Sequence, residues 1–110
     1  MTVRITLRYF DGCPNWTTAR ERLNEAVRAV GLADRVSIDL ERVETEEDAE
    51  RLRFRGSPTV LIEGVDPFAS DDAPFGLSCR VYRTEAGLEG SPSVTQLREA
   101  LTGSRPGVPA

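Results

Sequence analysis

Near the N-terminus, the pattern of a strand changes abruptly to the pattern of a helix. Apolar and polar residues alternate over 3–9, and this period of two predicts a β-strand. Gly12 ends the alternation, and Pro14 stands at the expected first helical position, where its missing N–H costs nothing. Apolar residues then recur at helical spacing over 16–30. A chain that begins with this unit is predicted to be an α/β protein.

One cysteine lies inside this junction, between Gly12 and Pro14. Cys13 is the predicted N-cap, where free N–H groups of the first turn and the helix dipole favour a thiolate. Thiols in such positions often have a pKa below the free value of about 8.5. The alternative is a cysteine used as a small turn residue. The following Pro14 and a second proline turn downstream favour the reactive interpretation.

Further strands and helices are predicted after this unit. Residues 64–78 form a predicted loop that is long enough to act as a lid. The predicted elements are a strand over 36–40, a short helix from Thr45 to Gly56, an apolar strand entered through Ser57-Pro58-Thr59, a strand opening at Cys79 and a helix capped by Ser93.

The resulting order, β-α-β-α-β-β-α, predicts an α/β fold with a mixed four-stranded sheet and helices packed on it. A helix joins the first two strands, so they should be parallel, whereas a loop joins the last two, which should be antiparallel. We expect one domain over 1–102. The tail over 103–110 is rich in Gly and Pro and is predicted to be flexible.

Composition excludes several classes of function. The formal net charge is −4, and acidic and basic residues are interleaved, unlike the basic stripe of a nucleic-acid-binding protein. No apolar run approaches the roughly 18 residues that cross a bilayer. The N-terminus runs directly into a strand, so no signal peptide is predicted. Two cysteines without an export signal predict a reducing, cytoplasmic location.

The chain contains no histidine and no lysine. The commonest general base and metal ligand is therefore missing, and Ser57 has no partner that could activate it as a hydrolase nucleophile. The acidic stretch 66–72 lacks the spacing of a calcium loop. The sequence thus predicts no metal and no cofactor.

Three stretches, 9–16, 54–62 and 76–82, are similar to small bacterial proteins of the thioredoxin superfamily, some of whose relatives are labelled alkylmercury-lyase-like. The resemblance extends to about Leu101. It implies a thioredoxin-like fold, with Cys13 as the attacking cysteine and Pro58 as a cis proline. The residues themselves leave open an ordinary strand-entry proline at Pro58. The implied substrate-binding residues are Pro14, Trp16, Ser57, Pro58 and Thr59.

The chain departs from this family at the second cysteine. A dithiol oxidoreductase carries Cys-x-x-Cys, but Trp16 stands at the resolving position. Three routes remain: Cys13 acts as a monothiol, Cys79 resolves from elsewhere, or the redox function is absent. The implied topology places Cys79 too far from Cys13 for a bond, although the loop over 64–78 could return the chain. The preferred interpretation is that Cys79 is a buried strand residue alternating with Val81.

Other residues near Cys13 have simpler interpretations. Asp11 could carry a proton, but a turn role is favoured. Trp16 and Phe10 could wall an apolar groove, but both fit core positions better.

The expected function is therefore a cytoplasmic thiol–disulfide exchange protein. Cys13 would form a mixed disulfide with a protein or a low-molecular-weight thiol, while the Pro58 turn aligns the partner. One alternative is a binder of a soft metal such as mercury, through Cys13 and Cys79. Another is a redox-inert interaction module. The sequence does not indicate the substrate, the electron donor or the oligomeric state.

Overall fold

A computed structural model describes residues 2–69 and 74–102 of the chain. The centre of the predicted lid, 70–73, and the predicted flexible tail, 103–110, lie outside these residues. The elements are β1 (Val3–Tyr9), α1 (Asn15–Ala29), β2 (Val36–Arg42), α2 (Glu46–Arg51), β3 (Thr59–Ile62), β4 (Tyr82–Thr84), β5 (Gly87–Glu89) and α3 (Val94–Leu101).

The first three strands form a mixed sheet in the order β2-β1-β3. β1 and β2 are parallel, with Val3 opposite Val36 at the start of the ladder. β1 and β3 are antiparallel, with Ile5 opposite Ile62. The predicted α/β class and the parallel pairing across α1 are therefore confirmed.

The predicted fourth strand of this sheet is wrong. Cys79 lies outside the strands and forms only an isolated parallel bridge with Ser57. β4 instead pairs with β5 in a separate antiparallel hairpin, and β5 was not predicted from the sequence. The turn between them is closed locally, because the Thr84 hydroxyl donates to the Gly87 carbonyl at 2.8 Å and accepts from the Ala86 N–H at 3.1 Å.

The main hydrophobic core lies between one face of the sheet and the helices α1 and α3. Ile5 and Leu7 point into it from β1 and are fully buried. Each of these helices contributes an apolar stripe at helical spacing, as expected for a helix with one face against a core. The other buried members are Ala19, Leu23, Ala26, Val27, Val60, Ile62, Leu97 and Ala100.

The opposite face of β1 carries polar residues and is thinly covered. Arg4 is exposed, whereas Arg8 is partly buried and forms an ion pair with Glu41. The Arg8 guanidinium also donates to the carbonyl of Leu52, the C-cap of α2, at 3.2 Å. Beside this face, a small second cluster packs around α2. It contains Val43, Ala49 and Phe54, with Phe10, Leu52 and Leu77 against them.

The helix starts follow the predicted caps. The Thr45 hydroxyl accepts from the Asp48 N–H at 3.0 Å, and Ser93 forms a capping box with Gln96. α2 is shorter than predicted, because it ends at Arg51 rather than continuing to Gly56. Within 2–69 and 74–102, no helix combines the length and the hydrophobicity needed to cross a membrane.

Candidate functional site

The two cysteines of the chain are joined as a disulfide. Their Cα atoms lie 5.7 Å apart although 66 residues separate them, and this distance is usual for a disulfide. The prediction that Cys79 lies too far from Cys13 is therefore wrong. The interpretation of Cys79 as a buried strand residue is also wrong, because Cys79 is exposed whereas Cys13 is fully buried.

Ser57 holds the two cysteine segments together. Its N–H donates to the Ser78 carbonyl at 2.8 Å, and its carbonyl accepts from the Arg80 N–H at 2.9 Å, so Cys79 is fixed on both sides. The Ser57 hydroxyl accepts from the Phe10 N–H at 3.3 Å. The Ser57 carbonyl oxygen also lies 3.5 Å from the Cys13 sulfur. Ser57 is completely buried, and these contacts satisfy its backbone and hydroxyl groups there.

Gly56 permits the close approach of the segment that carries Cys79. Its φ of 119° lies in a region that L side chains rarely adopt. A Cβ atom at this position would lie 3.0 Å from the Cβ of Arg80 and 3.3 Å from its Cα. A side chain at residue 56 would therefore push the segment around Arg80 away from Ser57.

Cys13 lies directly before the start of α1. Pro14 is the N-cap, with φ −72° and ψ −9°, and no side chain caps the helix. The prediction that Cys13 is the N-cap is therefore wrong, because Cys13 is the residue before the N-cap. The helix dipole favours a negative charge near this end. Complete burial and the neighbouring Ser57 carbonyl oppose that charge. A thiolate released here is thus subject to opposing effects.

The turn before β3 is buried against the disulfide. The Ser57–Pro58 peptide bond is cis, which answers the question that the sequence left open. The Thr59 hydroxyl donates to the Gly56 carbonyl at 2.7 Å, and the Tyr82 hydroxyl donates to the Pro58 carbonyl at 2.5 Å. Pro58 and Thr59 are both buried, so their side chains present little surface to a partner. Pro14 is exposed.

The remaining residues near Cys13 have structural contacts. The half-buried Trp16 ring stacks on Tyr9, with centroids 4.2 Å apart, and packs against the main core. Phe10 packs against the second cluster. Asp11 accepts from Arg42 at 2.9 Å, and this hydrogen bond raises the pKa of Arg42. Asp11 is therefore part of a surface ion pair as well as the turn.

Sequence reasoning missed the residues around Cys79. The Arg80 guanidinium pairs with Asp66 at 2.7 Å, hydrogen-bonds the Phe68 carbonyl and lies 4.6 Å from the centre of the Tyr82 ring. Burial raises the pKa of Tyr82. The sequence does show two arginines within four residues of Cys79 in an acidic chain, and this pattern could have indicated a functional site. It does not show the pairing of Arg80 with Asp66, because that contact depends on how the chain folds.

A cavity of about 480 Å³ opens beside the exposed cysteine. Cys79 lines it together with Arg80, Tyr82 and Arg83, whereas Cys13 does not. The disulfide is therefore open to solvent from the Cys79 side. A disulfide that is accessible from one side can exchange with an external thiol, because the attacking thiolate needs access to only one sulfur of the bond.

Comparisons with known proteins do not assign a family. No protein-family model matches the sequence, and no curated protein matches it. Among residues 2–69 and 74–102, no group of three or more histidine, cysteine, aspartate or glutamate side chains is placed to hold a metal ion. The chemistry of the site therefore depends on the two sulfurs and their surroundings.

Proposed function

We propose that this protein is a thioredoxin-like thiol–disulfide exchange protein in which Cys13 and Cys79 form and break a disulfide with each other. The observation that carries the proposal is the pairing of these cysteines across 66 residues, with one of them exposed. Cys13 remains the nucleophile at the start of a helix. Cys79 supplies the second sulfur that Trp16 cannot supply.

The thioredoxin-like arrangement is part of the proposal. Its support is the parallel β1-α1-β2 unit, the antiparallel β3 and the packing of α1 and α3 on one face of the sheet. Further support comes from the position of Cys13 at the junction of β1 and α1, with the Pro58 turn beside it. The separate β4-β5 hairpin is the main departure.

The proposed reaction is a reversible exchange with a protein or low-molecular-weight thiol. A partner thiolate attacks one sulfur of the Cys13–Cys79 bond, this bond breaks, and a new disulfide joins that cysteine to the partner. The other cysteine leaves as a thiolate and takes a proton from water. A second partner thiolate then attacks the partner sulfur of this mixed disulfide, and the cysteine bound to it leaves as a thiolate. Two partner thiols are thereby oxidised to a disulfide while the protein disulfide is reduced.

The first experiment measures the intact mass of the reduced protein after mild treatment with oxidised glutathione, followed by acid quenching and peptide mapping. The expected product is an internal Cys13–Cys79 disulfide without bound glutathione. In the Cys13→Ser variant, the exposed Cys79 should retain a glutathione adduct. A wild-type protein that remains reduced, or that accumulates a stable glutathione adduct, would contradict the proposed pair.

A second measurement separates exchange from a purely structural disulfide. The fraction of oxidised protein is measured by mass in a series of dithiothreitol redox buffers. An exchange protein should have a potential at or above about −270 mV, the value typical of thioredoxin, whereas structural disulfides usually lie below about −300 mV. A value in the structural range would favour the redox-inert module.

The same convergence of sulfurs favours a second candidate function, the binding of a soft metal ion. Two neighbouring thiolates are suitable ligands for a soft ion such as Hg²⁺. The reduced wild-type protein should then bind one equivalent tightly in a competition titration with a thiol chelator. Equal affinity in the Cys79→Ser variant would exclude a site made by both cysteines.

A further inference from the structure

The cavity beside Cys79 provides the route by which a thiol can reach the disulfide. Cys79 is exposed in its wall, and Cys13 is fully buried behind it. An external thiolate that enters this cavity therefore reaches Cys79 before Cys13. The volume of about 480 Å³ lies within the range of small-molecule sites.

The described lining of the cavity is rich in arginine although the protein is acidic. Arg55, Arg80 and Arg83 line it, and no aspartate or glutamate is among its described lining residues. Asp66 offsets the charge of Arg80. Arg83 is exposed and makes no ion pair within the described part of the chain. The formal net charge of the whole chain is −4, so this concentration of arginines is a local property.

The polar and apolar walls of the cavity are held in place by contacts among its lining residues and with Asp66. The Arg80 guanidinium is fixed between Asp66, the Phe68 carbonyl and the Tyr82 ring. Phe68 and Tyr82 meet edge to face, with centroids 5.7 Å apart. A site that combines the exposed Arg83 guanidinium, the fixed Arg80 guanidinium and aromatic walls suits a ligand that has a carboxylate and a short organic body.

We propose that this cavity binds a small, carboxylate-bearing thiol, and that the thiolate of this molecule attacks Sγ of Cys79. This inference rests on the proposed thiol–disulfide exchange and assigns its substrate class. The bond between Cys13 and Cys79 breaks as the bond between the substrate sulfur and Cys79 forms. Cys13 leaves as a thiolate at the start of α1. In the reverse direction the Cys13 thiolate attacks Cys79 in the mixed disulfide and releases the substrate thiolate.

The test compares three thiols of similar size and different charge: 3-mercaptopropionate, 2-mercaptoethanol and cysteamine. The rate of reduction of the oxidised protein is measured by acid quenching and mass, at equal thiolate concentration. Each rate is divided by the rate of the same thiol with hydroxyethyl disulfide, a neutral reference that removes intrinsic reactivity. At low salt we expect the anionic thiol to exceed the cationic one by about fivefold, an advantage that added salt reduces.

Charge variants locate the effect. Arg83→Gln should lower the normalised preference for 3-mercaptopropionate, and Arg83→Glu should lower it further. Arg28→Gln is the matched control, because it makes the same change in net charge at an exposed position in the last turn of α1, and it should leave the preference unchanged.

The outcomes separate this inference from the function on which it rests. Equal normalised rates for the three thiols, or equal effects of Arg83→Gln and Arg28→Gln, would overturn the anionic substrate class. The disulfide would then still exchange, and the proposed function would stand. A disulfide that none of the three thiols reduces in the folded protein would overturn both.

Discussion

The Tyr82 hydroxyl donates a hydrogen bond of 2.5 Å to the carbonyl oxygen of Pro58. This bond joins the start of β4 to the turn that lies beside the disulfide. Tyr82 is only 4% exposed, and its ring lies under the Arg80 guanidinium and against Phe68. The separate hairpin is thereby connected to the main sheet through one buried side chain.

Removal of this hydroxyl should lower the stability of the fold. Tyr82→Phe leaves the ring in place but deprives the buried Pro58 carbonyl of its donor, which should cost about 1 to 2 kcal/mol in the free energy of unfolding. Urea denaturation of the oxidised protein measures this loss. Tyr9→Phe is the control, because the Tyr9 hydroxyl makes no hydrogen bond within the described residues, and it should change stability by less than about 0.5 kcal/mol. Equal losses in the two variants would contradict the importance of the bond.

The same phenol should make stability depend on alkaline pH. Burial raises the pKa of Tyr82, with the Asp66 charge adding to this effect and Arg80 opposing it. Because the folded state holds the proton more tightly than the unfolded state, the stabilisation is complete below about pH 10 and is lost as the pH rises further. The slope should approach about −1.4 kcal/mol per pH unit above that point.

The alkaline measurement uses the oxidised protein, in which the cysteines do not titrate. Urea unfolding at about pH 8 and about pH 11 should show the loss in wild type and a smaller loss in Tyr82→Phe. If the variant loses as much stability as wild type between these values, another group is responsible.

The elements that were predicted correctly are those determined by local sequence. The alternation in β1, the helical period of α1 and the caps at Thr45 and Ser93 act within a few residues, so one sequence is sufficient to recognise them. Cys13 was singled out for the same reason, since its place between Gly12 and Pro14 is a local signal.

The errors arose where long-range contacts decide the path of the chain. Ser57 pairs with the segment around Cys79, and Arg80 pairs with Asp66, so residues 78–80 lie beside the Pro58 turn instead of forming the predicted antiparallel fourth strand. No periodic pattern encodes such contacts. The family resemblance pointed away from them, because it placed Cys79 at the far end of the sheet.

The ion pair between Arg80 and Asp66 should contribute measurably to stability. Their side chains are only 10% and 15% exposed, so Asp66→Asn would leave a largely buried guanidinium without its carboxylate. We expect a loss of about 2 kcal/mol in the free energy of unfolding.

The matched control for this variant is Glu44→Gln. Glu44 also pairs with an arginine, Arg42, but these side chains are 59% and 50% exposed. An exposed pair is screened by solvent, and its removal should cost clearly less than the removal of the buried pair. Similar losses in Asp66→Asn and Glu44→Gln would show that burial does not strengthen the pair at Arg80.

Gly56 should control whether the two sulfurs can meet. In Gly56→Ala, the new Cβ would lie 3.0 Å from the Cβ of Arg80, so the segment that follows Cys79 has to give by a few tenths of an ångström. The variant should therefore hold a smaller fraction of its cysteines as the Cys13–Cys79 disulfide in a fixed glutathione redox buffer. Intact mass after acid quenching measures this fraction.

Gly64→Ala separates this effect from ordinary backbone strain. Gly64 also has a positive φ, of 80°, but a Cβ there would meet no atom within 4 Å. Gly64→Ala should lose about 1 kcal/mol of stability and keep the wild-type disulfide fraction. If Gly56→Ala also keeps that fraction, the approach of Arg80 to residue 56 does not position the sulfurs. A lower fraction in Gly56→Ala alone would establish that the contact between this glycine and the segment following Cys79 sets the redox equilibrium of the pair.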